Sequence, residues 1–294
     1  MEKAYELLQR DPRLVRRLRE TGIDSGSVVY IAADLLRVAD WNVARDYGSE
    51  VIREVWPEWV YLSIREVIGA GGTLVVPTFS YDYARHNTPF ICEETPSEVG
   101  AFSEHVRRKP GTIRSLHPLF SLSANGPKAR EICENTGRSA YGVCSAFGKL
   151  RDVGTIFVFL GTTPEKSLTY VHHLEHLYGV NYFMHKAFDA PVYRGGQIVP
   201  GPWLAFVRYL GCGIEMTGRR FENHLRERGL LRTLHADGCW VDAVHCDHVH
   251  EEGLKCLQAD PWFFIERPVY VRFREKNLKI FDAATPSALV GYVP

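Results

Sequence analysis

Residues 169–176, Thr-Tyr-Val-His-His-Leu-Glu-His, place His172 and Glu175 three positions apart, directly after the apolar run at 155–161. On a helix that spacing puts both side chains on one face. An imidazole changes charge near neutral pH, and a carboxylate beside it can fix its tautomer, so the pair suits proton transfer at a reacting centre. Placement at the end of a buried strand also matches where open parallel sheets bind ligands.

Such a pair needs a scaffold, and the rest of the chain reads as one. Apolar residues make up 45% of 294, enough for the core of one large domain, so a single unit over 1–294 is expected. Helical spacing at 2–20, an apolar run at 27–33, helical spacing at 48–68 and a strand at 73–77 open the pattern. Pro57 is expected to kink or split the second helix. A helix at 100–108, a strand at 119–124, a helix at 127–135, the strand at 155–161 and a helix at 168–178 continue it. This alternation predicts a layered α/β/α fold with a mostly parallel central sheet. After about residue 185 the texture changes. A hairpin or added strand pair around Gly195-Gly196, a helix at 221–228, a strand at 239–244 and a helix at 247–258 form a C-terminal elaboration. The N-terminal helix reads as a packing or dimer element.

Composition narrows the function classes. Thirty-five basic residues balance thirty-five acidic ones, so no global field favours nucleic acid. Apolar runs are too short and too interrupted by charge for a membrane span, and the charged first twenty residues do not read as a secretory signal. Seven cysteines without a C-x-x-C pair predict free thiols in a reducing cytoplasm.

Four clusters occur in order: Thr73-Leu-Val-Val-Pro-Thr-Phe-Ser-Tyr81; Arg114-Ser-Leu-His-Pro-Leu-Phe-Ser121 running on to Gly126; Tyr141-Gly142-Val-Cys-Ser145 running on to Gly148; and Leu160-Gly161 followed by Thr169-x-x-His172-x-x-Glu175. Together, over residues 24–186, they resemble the aminoglycoside 3-N-acetyltransferase family. The resemblance implies acetyl transfer from acetyl-CoA to a primary amine on a sugar-like ring, without a metal. His172 would be the general base, and Glu175 would orient it or bind the amine. Arg114, Ser121, Gly142, Ser145 and Thr169 would lie along the path of CoA and its acyl group. Two positions depart from the pattern: Ala32-Ala33-Asp34 stands where the family has His-Ser, and Ala146 where it has proline.

The chemistry agrees with that expectation. An ammonium cannot attack a thioester, so a base must take its proton, and the tetrahedral oxyanion needs fixed donors. Backbone N–H groups in the glycine turns, or the hydroxyls of Ser121, Ser145 and Thr169, are the candidates. No G-x-S-x-G elbow is present, which favours direct transfer over an acyl-enzyme. Cys144 reads as a buried thiol in a turn, and His117 either shapes a turn or touches substrate.

Two readings compete with transfer. His172-x-x-Glu175-His176 also fits an inverted zinc-peptidase arrangement, which would need a third ligand and a longer helix. Cys239, His245, Cys246, His248, His250 and Cys256 offer metal-binding residue types without regular zinc spacing, and His245, His248 and Glu252 read as a solvated helix face. For the acceptor, balanced charge and the arginines 208, 219, 220, 226, 228 and 232 favour an amino sugar linked to a nucleotide or glycan precursor. An aminoglycoside antibiotic is the alternative. Recognition is expected to be built from residues 189–235, in a small oligomer such as a homodimer.

Overall fold

The computed structural model describes residues 13–38, 49–209, 214–236 and 239–266. Twelve strands are named here: β1 Val28–Ala33, β2 Thr73–Pro77, β3 Phe90–Ile91, β4 Ile113–Arg114, β5 Leu122–Asn125, β6 Ile156–Leu160, β7 Phe183–Phe188, β8 Val192–Arg194, β9 Gln197–Ile198, β10 Trp203–Arg208, β11 Arg232–Ala236 and β12 Cys239–His245. Seven of them form the central sheet in the order β11-β12-β6-β1-β2-β5-β4. The middle three, β6, β1 and β2, run parallel, and the flanking strands pair antiparallel.

The sequence explains why those three sit in the middle. In β1 and β6 apolar residues run continuously rather than alternating with polar ones, and side chains on both faces are buried. Tyr30, Phe157 and Phe159 point to one side, packing with Phe147, Leu174 and Val249. Val29, Ile31, Val158 and Leu160 point to the other, packing with Leu14, Leu18, Trp56 and Val60. Helices thus cover both faces, giving the layered α/β/α architecture. Truncating one of these side chains to alanine is expected to cost about 2–5 kcal/mol.

Several elements differ from expectation. Pro57 does not split its helix, which spans Ser49–Ile68. Trp56 and Val60 around it are fully buried, and burial of that size offsets the roughly 3 kcal/mol that a helical proline costs. Residues 2–12 of the expected first helix lie outside the described residues. Its described turns, Arg13–Glu20, bury Leu14, Val15 and Leu18, so that face packs within the chain. The helix expected at 168–178 begins three residues later and spans Val171–Tyr178; a separate short helix, Pro164–Ser167, precedes it and ends where Leu168 leaves helical geometry at ψ 72°.

The C-terminal elaboration enters the core sheet: β12 lies antiparallel beside β6. The Gly195-Gly196 turn does join β8 to β9 as a hairpin. Residues 203–208, by contrast, pair with β7, a strand that periodicity did not reveal. In β7 the buried residues Phe183 and Met184 are adjacent rather than alternating.

Candidate active site

His172 and Glu175 follow the carboxyl end of β6. Gly161 makes the turn with φ of 65°, and a Cβ there would stand 2.6 Å from the Asp34 carbonyl oxygen, so glycine is required. The chain then passes through Thr169 into the helix Val171–Tyr178, which closes at Gly179 in the left-handed conformation. The short helix holds His172 and Glu175 one turn apart.

Their geometry defines a base. His172 Nδ1 donates to Glu175 Oε2 at 2.6 Å. Because Nδ1 carries that proton, the neutral ring presents Nε2 as a proton acceptor. Glu175 is fully buried. A lone carboxylate there would be costly, and a second donor meets its other oxygen: the Tyr182 hydroxyl, at 2.7 Å from Oε1. Burial and the charge of Glu175 push the Tyr182 pKa well above its ordinary value, so its hydroxyl stays a donor. The imidazole is held on its sides by Tyr141 and Phe183, each with ring centres 5.5 Å away.

Two cavities meet at this ring. Thr169, His172 and Met216 line both. One is a slot of about 180 Å³ with Leu168, Val171, Phe221 and Phe264 in its wall and Glu165, Lys166 and Glu222 beside them. The other is an aromatic cleft of about 540 Å³, walled by Phe79, Tyr81, Phe120, Tyr141, Phe188 and Phe206 and carrying Arg85, Lys186 and Arg208. An imidazole with a free acceptor nitrogen thus stands where the two cavities meet.

Of the residues expected along the CoA path, Thr169 alone lines the cavities. Arg114 is 6% exposed, and its guanidinium donates to the backbone oxygens of Thr78 and Cys92, to that of Thr95, and to the Ser80 hydroxyl. These bonds make Arg114 a clamp between loops, with its donors engaged within the protein. Ser121 Oγ accepts from Arg114 Nε and donates to the Thr78 carbonyl. Ser145 caps the helix Ala146–Lys149 by accepting the Gly148 N–H. Gly142 packs against Ser139, behind the catalytic helix. These residues hold the loops that carry the aromatic wall. Cys144 is exposed rather than buried, and it lines neither cavity.

The other histidines resolve into structural roles. His117 Nδ1 accepts the N–H groups of Leu119 and Phe120, and Nε2 donates to the Leu204 carbonyl. Burial pushes its pKa down to about 4, so it shapes the turn as a neutral ring. His173 donates to the Tyr141 carbonyl at 2.7 Å, fixing the loop that presents Tyr141. His245 caps the helix Cys246–Ala259. Glu252 is buried rather than solvated, with its pKa pulled down to about 2 by the Lys255 and His224 donors.

The peptidase scheme conflicts with this geometry: it needs the glutamate open to water as a base, whereas Glu175 is sealed and doubly hydrogen-bonded. Among the described residues no group of three or more His, Cys, Asp or Glu could hold a metal ion. The Cys239 side chain lies outside them. Sequence reasoning missed Tyr182, Lys186 and the aromatic wall. The wall draws on loops and strands far apart in the chain, and no periodicity marks that convergence.

Comparisons with known proteins agree with the class defined by this geometry. The profile of the family described as aminoglycoside 3-N-acetyltransferase matches residues 52–238. Aminoglycoside N(3)-acetyltransferase VIII of Streptomyces fradiae is 27% identical over 206 residues, covering 64% of this chain and 68% of that protein. Aminoglycoside N(3)-acetyltransferase VII of Streptomyces paromomycinus is 30% identical over 140 residues, 41% of this chain and 48% of that one. Against the latter, the chain thus spans about half the relative's length. Among solved structures, the apoenzyme of aminoglycoside acetyltransferase AAC(3)-IVa shares the fold with a TM-score of 0.70 at 20% identity, covering 90% of this chain and 95% of that one. The complex of AAC-IIIb with CoASH does so with a TM-score of 0.67 at 21% identity, covering 84% and 95%. The chain belongs to the aminoglycoside 3-N-acetyltransferase family, and its enzyme class is N-acetyltransferase.

Proposed function

We propose that this protein transfers the acetyl group of acetyl-CoA to a primary amine on an amino-sugar ring, with His172 as general base. The observation that carries the reading is the buried Tyr182–Glu175–His172 chain of hydrogen bonds ending at a ring that faces both cavities. His172 Nε2 takes a proton from the incoming amine while its nitrogen bonds to the thioester carbonyl carbon. The tetrahedral adduct then collapses, the C–S bond breaks, and the sulfur leaves as thiolate to be protonated. Glu175 stabilises the imidazolium formed between these steps. Such a base contributes about 10²- to 10⁴-fold in rate.

Thr169 is the donor we assign to the oxyanion, because it lines both cavities, whereas Ser121 and Ser145 line neither. The narrow apolar slot suits the thin pantetheine arm, and the wider aromatic cleft suits a sugar ring. The CoASH complex of a structural relative supports the cosubstrate. The curated relatives' names specify aminoglycosides, which favours that acceptor over the nucleotide- or glycan-linked one expected from sequence charge. Among the described residues no helix is long and apolar enough to cross a membrane.

The test is release of free thiol from acetyl-CoA across a panel of amino sugars and aminoglycosides. Turnover with at least one ring amine, lost in His172→Ala, is the expected result. Thiol release that is equal with and without an amine would overturn it.

A further inference from the structure

Given His172 as the transfer base, we infer that Lys186 is a site of self-acetylation: with acetyl-CoA bound and no acceptor in the cleft, its own amine takes the acetyl group. The inference rests on the transfer reading for the base and for the thioester beside it. Lys186 and His172 line the same cleft of about 540 Å³, which meets the slot assigned to the pantetheine arm at the His172 ring. Among the described lining residues of that cleft, Lys186 carries the sole primary amine. Its basic companions, Arg85 and Arg208, are guanidiniums that stay protonated and do not attack a thioester.

The surroundings of Lys186 set it apart from other lysines. Lys109, Lys128 and Lys255 are each engaged by a carboxylate, from Glu58, Glu131 and Glu252 respectively. Lys149 donates to the Glu134 carbonyl. Lys186 has no ion pair among the described residues, and its Nζ lies 4.9 Å over the Phe188 ring. An aromatic face holds an ammonium but gives little to a free amine. Burial disfavours the charge and lowers the Lys186 pKa, so more of it is nucleophilic near neutral pH than of a lysine in water. Loss of the proton also frees the side chain from Phe188.

Strand β7 carries both sides of the encounter. Phe183 packs on the His172 ring with centres 5.5 Å apart. Lys186 stands three residues further along the strand, about 10 Å of backbone, and its flexible four-carbon stem covers much of that span. Lys166 lines the slot instead, on the side of the pantetheine arm rather than that of the acceptor.

The step balances without a further reactant. The Lys186 ammonium first gives a proton to water. Its free nitrogen bonds to the thioester carbonyl carbon, and His172 Nε2 takes a proton from that nitrogen. The C–S bond breaks, and the thiolate recovers the proton from the imidazolium. The products are an acetylated Lys186 and CoA thiol. An amide does not attack again, so each protein releases one thiol and stops, unlike turnover of an acceptor. The acetyl group removes a cation from the cleft and occupies space that an acceptor needs, so the modified protein is inhibited.

The full-length protein is incubated with acetyl-CoA and no amine, and peptide mass spectrometry follows each lysine with time. Lys186 is expected to gain its acetyl group at least about ten-fold faster than Lys166 or Lys128 in the same sample. That comparison does not depend on any variant folding. His172→Ala should slow the Lys186 label by about 10²-fold or more and leave the Lys128 label as it was. Lys186→Arg keeps the charge and should remove both the fast label and the single equivalent of thiol.

Labelling no faster at Lys186 than at Lys128 would overturn the inference. So would equal labelling of Lys186 in the parent and in His172→Ala, which is uncatalysed chemistry. Steady thiol release with the aminoglycoside sisomicin, but no label at Lys186, sinks this site and keeps the transfer reading. A His172-dependent label with no turnover of any added amine keeps the site and sinks the transfer reading.

Discussion

The Tyr182 hydroxyl donates to Glu175 Oε1 at 2.7 Å, on a carboxylate whose other oxygen accepts the His172 Nδ1–H. The turn between the helix Val171–Tyr178 and β7 thereby fixes the carboxylate that holds the imidazole. Three residues from two elements form one unit, and its parts have separable effects.

Replacing the base should remove catalysis and leave the fold. His172 is about a quarter exposed, so His172→Ala creates no sealed cavity. Turnover is expected to fall about 10²- to 10⁴-fold, with the protein still folded and destabilised by about 1–3 kcal/mol, the cost of the donor lost to Glu175. Steady-state thiol release and a thermal melt check both halves. Wild-type kcat would end the assignment.

Glu175→Gln keeps the volume and changes the proton arithmetic. A glutamine can donate to Nδ1, which places the ring proton on Nε2 and takes away the acceptor. Turnover should drop by about 10²-fold or more, while calorimetric CoA affinity stays near that of the parent.

Tyr182→Phe strips one donor from a fully buried charge. Leaving a buried acceptor unpaired costs about 1–3 kcal/mol, read as a shift in the urea midpoint at constant slope. Because Glu175 retains its bond to His172, kcat should fall less than in Glu175→Gln. An unchanged midpoint would mean that the hydroxyl is dispensable to the carboxylate.

Arg114 discriminates a clamp from a phosphate contact. Arg114→Ala leaves the backbone oxygens of Thr78, Cys92 and Thr95 without their donor, and should destabilise the protein by about 2–4 kcal/mol. The folded fraction should keep the parent KM for acetyl-CoA. A raised KM with unchanged stability would restore the phosphate role.

Acidification should unfold the protein through buried imidazoles. His117 titrates at about 4 when folded, below its ordinary value of 6.5, and His176 is likewise pushed down to about 4, by burial and by neighbouring His185. A depressed histidine stabilises the fold above its unfolded pKa. That stability is lost as pH falls from about 6.5 toward 4, because the unfolded state binds the proton first. For His117 the loss amounts to about 3 kcal/mol over the window. Urea midpoints should therefore be flat above pH 7 and decline between pH 6.5 and 5, where carboxylates contribute little.

The central strands were legible because burial on both faces leaves an unbroken apolar signature, as in residues 156–160. The pair His172 and Glu175 was legible because helix geometry is local: three residues of separation suffice to bring them together. Gly161 and Gly179 marked the two ends of the catalytic segment for the same reason. Tyr182 was not legible, since its bond to Glu175 depends on how the chain turns back after Gly179. The hydrogen bonds of Arg114, Ser121 and Ser145 to neighbouring loops were not legible, because polar residue types do not say whether their donors face a ligand or the protein itself.

By itself, then, the sequence determined the layered α/β scaffold, the helix that follows β6, and the adjacency of His172 and Glu175 upon it. These follow from short-range periodicity and from the conformational demands of single residues. The tertiary structure decided which cations face the cleft and which are neutralised, which hydroxyls are spent on backbone, and what seals Glu175. Those depend on residues distant in the chain being brought together, as Arg85 and Lys186 are in the lining of one cleft. Composition counts such charges but cannot say where they meet.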